Sequence, residues 1–139
     1  MSILDKIKLT KIRELNDLNK IQLEHDKQNY IKSSQNSYRF ANSLHNSGNK
    51  PYTLITEIKK ASPSKGIIRE DFNPRELGLY YEKGGASCLS ILTDMNYFKG
   101  SNEYIAQVKE VVSIPILRKD FMIDPLQVIE SKNIGADCI

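Results

Sequence analysis

The chain has 139 residues, 40% hydrophobic and 27% charged, the balance of one folded domain with a core of its own. Its 20 lysines and arginines outnumber its 17 acidic residues, giving a net charge of +3, but they are scattered. That argues against a nucleic-acid face and for a solvated surface that meets at most a small anionic substrate. No apolar run reaches membrane-spanning length, and Asp5, Lys6 and Lys8 interrupt the region where a secretion signal would need an apolar core. The cytoplasm is the expected compartment.

The first fifty residues read as helical and polar. Ser2 and Asp5 form a capping-box pattern, and Leu4, Ile7, Ile12, Leu15, Leu18 and Ile21 follow roughly helical spacing. Tyr30, Ile31, Tyr38, Phe40, Ala41 and Leu44 suggest a second helical region with a break near Ser33–Ser37, and Ser47–Pro51 reads as a linker. His25 and His45 have no partner at ligand spacing and are expected at the surface. The predicted domain organisation is therefore a helical extension over 1–50 and a separate architecture over 51–139.

From Tyr52 the rhythm changes. Tyr52–Lys59 reads as a strand, with Glu57 and Lys59 on one face because strand side chains alternate. Ser62-Pro63-Ser64 breaks it, since proline cannot donate to a sheet and holds Ser62 extended. Asn73-Pro74-Arg75-Glu76 opens a helix with a cap, a proline in the first turn and an early acid, and Gly84-Gly85 closes it. Ala86–Leu92 is a second strand, apolar enough to be buried on both faces. A loop over Thr93–Gly100 leads to a helix from about Ser101 to Val112. Ile114–Lys119 is a third strand, Asp124-Pro125 opens a third helix, and a fourth strand begins at Ala136. Cys88 and Cys138 lie in apolar strand-like runs and read as reduced core residues.

Alternating strands and helices imply a parallel sheet with helices outside. A doubly wound sheet and a (β/α)8 barrel both fit. No Gly-x-Gly-x-x-Gly follows the first strand, which weighs against a dinucleotide fold, and a complete barrel needs roughly 250 residues, so only its first half is expected here. Polar and aromatic groups gather at the strand ends: Glu57, Lys59, Ser62 and Ser64; then Thr93, Asp94, Tyr97 and Phe98; then Arg118, Lys119, Asp120 and Phe121. In a barrel these tips meet at one mouth and would form a cation-rich pocket with aromatic walls. Glu57 and Lys59 read equally well as a structural ion pair, whereas Lys119 and Asp120 on spacing alone are more commonly a solvated strand end, and Phe98 and Phe121 more often core. No metal-ligand spacing and no nucleophile elbow are present in the sequence.

Three long segments together carry a more specific signal. Leu54–Ser64, continued through Phe72, resembles the signature of indole-3-glycerol phosphate synthases. So do Cys88–Asp94 with Tyr97–Ser101, and Pro115–Phe121 with Ile123-Asp124-Pro125. The resemblance runs from about Tyr38 to Ile139, and more loosely over the N-terminal helices. It implies a TIM (β/α)8 barrel with an N-terminal helical extension, of which this chain would be the first half, truncated as strand four begins. It also implies a carboxy-lyase of tryptophan biosynthesis that needs no metal or organic cofactor. Such an enzyme closes the ring of 1-(2-carboxyphenylamino)-1-deoxyribulose 5-phosphate, then releases carbon dioxide and water. By the same resemblance, Lys119 is the general acid on the substrate ketone. Lys59 is a second lysine that holds substrate and serves the dehydration, and Glu57 is the carboxylate that positions both. Ser62 is a substrate contact, and Phe98 and Phe121 pack on the anthranilate ring.

In that family a second catalytic glutamate and the phosphate site come from later strands, so the chain alone is expected to be inactive. Two alternatives remain: a non-catalytic half-barrel subunit that assembles with a complementary chain, and a related phosphoribosylanthranilate isomerase. Neither nucleic acid nor membrane is an expected partner.

Overall fold

The computed structural model describes the backbone of residues 1–33, 38–46, 48 and 51–139, and the side chains of all of these but 31–33. The expected helix break at 33–37 and most of the linker at 47–51 lie outside these residues. Three helices come first: α1 (Ile3–Asp17), α2 (Lys20–Ser33) and α3 (Arg39–His45). The alternating region then runs β1 (Ile55–Ile58), β2 (Ala61–Ser62), β3 (Gly66–Ile67), α4 (Pro74–Lys83), β4 (Cys88–Leu92), α5 (Met95–Phe98), α6 (Glu103–Lys109), β5 (Ile116–Lys119) and α7 (Leu126–Asn133).

β1, β4 and β5 form a parallel sheet in that order, with Ile58 level with Ile91 and Leu92 level with Lys119. β4 is central and every one of its residues is buried, as its apolar run requires. Ile58, Leu89, Ile91 and Ile116 point from the sheet toward Leu77 of α4 and Ile105 and Val108 of α6, and these seven side chains are the core. A parallel bridge between Leu117 and Cys138 starts the expected fourth strand, which extends no further than that. The sheet is therefore partial and not a closed barrel. Both cysteines are free thiols, Cys88 buried and Cys138 partly so.

Local chemistry sets the helix ends as expected. Ser2 Oγ accepts from the Asp5 N–H while the Asp5 carboxylate accepts from the Ser2 N–H, a reciprocal capping box. Asn73 caps α4 by accepting from the Glu76 N–H, with Pro74 in the first turn where no backbone donor is lost.

Three expectations need correction. The segment Thr93–Gly100 is not all loop, because the Asp94 carboxylate accepts from the N–H groups of Tyr97 and Phe98 and so nucleates the short helix α5. Ser62-Pro63-Ser64 does not simply end the first strand. The chain leaves β1 after Ile58 and re-forms an antiparallel hairpin in which Ala61 and Ser62 pair with Ile67 and Gly66.

The third correction concerns α1. Ile12 is 44% exposed, Leu4 63% and, beyond α1, Ile21 88%, whereas Ile7 and Lys11 are buried. The inward stripe is thus Ile7, Lys11, Glu14 and Leu18, because α1 crosses the polar rim of the sheet and not its apolar face. α2 runs along α7, with the Asn133 side chain donating to Asp26. α3 sits at the opposite end of the sheet, where Arg39 binds Asp137 and the Ser113 carbonyl.

Candidate active site

Period-two alternation puts Glu57, Ser90, Leu117 and Lys119 on the sheet face turned away from α4 and α6. Near the C-terminal ends of the strands this face carries a three-membered charge cluster. One Glu57 oxygen receives Lys119 Nζ at 2.7 Å and the other receives Lys59 Nζ at 2.8 Å. One carboxylate therefore holds two lysines from different strands apart in a fixed arrangement. Burial by itself would raise the Glu57 pKa, but the hydrogen bonds from Lys119 and Lys59 outweigh it and hold the carboxyl below its ordinary range. A group whose folded pKa is depressed contributes stability above its unfolded value and loses it as the pH falls through the folded value. The Glu57 carboxyl carbon, followed by NMR, is accordingly expected to titrate below an unperturbed glutamate. In Lys119→Met its midpoint should move back up. A midpoint unmoved by that substitution would show that the lysine contact does not govern it.

The structure brings the two phenylalanines together. Phe98 at the end of α5 and Phe121 beyond β5 are both half-buried, with ring centroids 6.1 Å apart and planes inclined by 44°. That is an aromatic pair with an accessible edge. Ser62 lies in the β2–β3 hairpin, where its hydroxyl accepts from the Lys65 N–H, and α5 packs beside β2. The structure thus unites Glu57, Lys59 and Lys119 in one cluster and Phe98 with Phe121 in another. Ser62 stands on the element next to the helix that carries Phe98. His25 and His45 are exposed, as expected.

Sequence reading missed a second, buried network on the other side of β5. Lys11 is 3% exposed, and its Nζ meets Asp120 at 2.7 Å, Glu14 at 2.7 Å and Asp94 at 2.9 Å. Burial disfavours this ammonium, yet its hydrogen bonds to Asp120, Glu14 and Asp94 prevail and raise its pKa above that of a free lysine. Arg118 joins from β5: it donates to Thr93 Oγ1, Ser131 Oγ and Glu130, and lies 3.6 Å from Asp120. Asp120 is therefore not the solvated strand end that spacing alone suggested, since its side chain is 3% exposed. The available signal was a lysine four residues after Ile7, on the inward stripe of α1. A cavity of about 490 Å³ opens beside this network, lined by Lys11, Glu14, Arg118 and Glu130 among others. It lies away from the Glu57 cluster.

A parallel three-stranded sheet with helices packed on it, carrying paired lysines, a shared carboxylate and an aromatic pair around its strand tips, places the chain in the α/β class, where chemistry gathers at that end of the sheet. Sequence comparison makes this specific: residues 4–139 match the family model for indole-3-glycerol phosphate synthase, and the chain belongs to that family. The family is one of TIM barrels and, at the family level, carries the carboxy-lyase activity of tryptophan biosynthesis on a phosphorylated small molecule. Among the described residues no helix is long and apolar enough to cross a membrane.

Proposed function

We propose that this chain carries the ring-closing side of an indole-3-glycerol phosphate synthase site, with Glu57, Lys59 and Lys119 catalytic and Ser62, Phe98 and Phe121 binding substrate. The observation that carries this reading is the sharing of one Glu57 carboxylate by two lysines, Lys59 just past β1 and Lys119 at the end of β5, on either side of the central strand β4. In ring closure the aromatic carbon attacks the ketone carbon, and the ketone oxygen gathers negative charge. A lysine ammonium held at that oxygen donates its proton and leaves a hydroxyl. The ring nitrogen becomes positive as its lone pair drives the attack, and the Glu57 carboxylate is the anion at hand to stabilise it. Loss of carbon dioxide restores the electron pair to the ring. Departure of the hydroxyl as water, with a proton supplied by one lysine, and loss of a proton from the adjacent CH2 carbon to the lysine left neutral by the first step complete the indole. The Phe98–Phe121 pair supplies an apolar wall for the anthranilate ring, and the β2–β3 hairpin with Arg69 and Asp71 beyond it is placed to act as a lid.

In this reading the helices α1, α2 and α3 are the helical extension that precedes the sheet. The Lys119 side chain is 55% exposed, so its proton transfer is not sheltered from water. The isolated 139-residue chain is therefore expected to convert substrate very slowly, and binding is the sharper test. Calorimetric titration with indole-3-glycerol phosphate should show saturable binding that weakens at least about tenfold in Lys119→Met, a charge-assisted contact being lost. No saturable binding, or equal binding by Lys119→Met, would overturn the assignment.

A further inference from the structure

We propose that Lys11 is a positioning residue of the candidate site: its buried ammonium clamps the turn that carries Phe98 to the strand tip that carries Lys119 and Phe121. This rests on the reading of those three residues given above, and it adds a role for a residue that touches none of them.

The Lys11 ammonium forms ion pairs with three carboxylates from three segments, α1, the start of α5 and the end of β5. Each of the two rim carboxylates has a second task. Asp94 Oδ1 accepts from the N–H groups of Tyr97 and Phe98 at 2.7 and 3.2 Å, which fixes the turn that ends in Phe98. Its Oδ2 is buried and, among the described residues, has no hydrogen-bond partner; the Lys11 ammonium, 2.9 Å away, is the charge that pairs with it. Asp120 Oδ1 accepts from the Phe121 N–H at 2.8 Å as well as from Lys11, and Oδ2 accepts from Thr93 Oγ1 at 2.6 Å. Asp120 is bonded covalently to Lys119 on one side and Phe121 on the other, so holding its carboxylate fixes both backbones.

Without Lys11, Asp94 would lose the cation that pairs with it and would face Asp120, whose remaining cation is Arg118 at 3.6 Å, and the least costly response is for the two turns to separate. α1 is seated on the same turn by two further contacts, Thr10 Oγ1 with Tyr97 Oη at 3.0 Å and the Asn96 side chain donating to Glu14 at 2.6 Å. The clamp thus joins the N-terminal helix to the aromatic pair through salt bridges that are themselves closed to solvent.

The test uses the whole 139-residue chain as wild type, Lys11→Met, Lys11→Arg and, as a destabilised control away from the rim, Leu77→Ala. The readouts are the Phe98–Phe121 ring-to-ring NOE and calorimetric affinity for indole-3-glycerol phosphate. Lys11→Met should lose the NOE and bind at least about tenfold more weakly, misplacement of positioned groups being costly. Lys11→Arg should keep the NOE and stay within about threefold, since the charge is retained. Leu77→Ala should lose stability but keep the NOE. If Lys11→Met does not fold, Asp94→Asn replaces it, which keeps an acceptor for the Tyr97 and Phe98 N–H groups but removes the charge. It should lose the NOE too. The proposal is overturned if the NOE survives in Lys11→Met or Asp94→Asn, or if Leu77→Ala loses it equally. Should the wild type bind no ligand, the site reading fails while the NOE still decides the role of Lys11.

Discussion

Asp120→Ala is expected to cost about 3–5 kcal/mol of folding stability, because it removes one member of a buried charge network and strands the others. The Asp120 side chain is 3% exposed and meets Lys11, Arg118, the Thr93 hydroxyl and the Phe121 N–H. All four lose a partner at once, and the Lys11, Arg118 and Thr93 side chains that lose it are buried. Since domains of this kind are typically stable by only about 5–15 kcal/mol, most of the margin would go. Asp120→Asn should cost less, because an amide oxygen can still accept from Thr93 or Phe121. Urea unfolding of the two variants against wild type checks both the size and the order. An Asp120→Ala midpoint within error of wild type would mean that the network contributes little to stability.

Gly100→Ala is expected to be nearly as damaging, for a steric reason. A Cβ at Gly100 would lie 2.4 Å from the Leu92 carbonyl oxygen and 2.7 Å from the Thr93 carbonyl carbon. These are backbone atoms at the end of the central strand, which cannot swing aside as a side chain tip would, so a cost of about 3 kcal/mol or more is expected. The Gly100 N–H also donates to the Asp94 carbonyl at 2.7 Å, closing the turn around α5. The substitution should therefore push out the segment bearing Phe98 along with lowering the unfolding midpoint. Gly66→Ala is the instructive contrast. Gly66 has φ of +66° but nothing within 4 Å of a new Cβ, so only the left-handed penalty of about 1–2 kcal/mol applies. If Gly66→Ala proved the worse of the two, close approach of the chain to β4 would not be the reason for glycine at position 100.

Much of the architecture could be read from the chain because its signals are local. The caps at Ser2 and Asn73, the prolines at helix starts and the wholly apolar β4 each act through near neighbours, and each took the form its residues implied. The charged face of β1 could be read for the same reason, since alternation alone places Glu57 beside Lys59. What could not be read depends on contacts distant in sequence. Lys11 meets Asp94 and Asp120 across more than eighty residues, and although its spacing from Ile7 puts it on the inward stripe, nothing local names the carboxylates that it will meet. Helix α5 was hidden because it is four residues long and forms through one aspartate side chain rather than through periodicity. The hairpin of β2 and β3 was hidden because two-residue strands carry no alternation to detect.

The two networks flank β5 in alternation. Arg118 turns to the helices and anchors Asp120, while Lys119 turns to the open face and meets Glu57. Consecutive residues thus divide the work of holding the rim and arming it, and damage to the first should reach the second through one peptide bond. Through that bond, and through the Phe98 and Phe121 N–H groups that its carboxylates hold, the buried network bears on the proposed site.

The most direct test of that site is residue-by-residue NMR of the 139-residue chain during titration with indole-3-glycerol phosphate. The account predicts saturable shifts that cluster on Glu57, Lys59, Ser62, Phe98, Lys119 and Phe121, and that fade in Lys119→Met. Shifts gathered instead around Arg118, Glu130 and the cavity on the far side of β5, with Glu57, Lys59 and Lys119 silent, would contradict it.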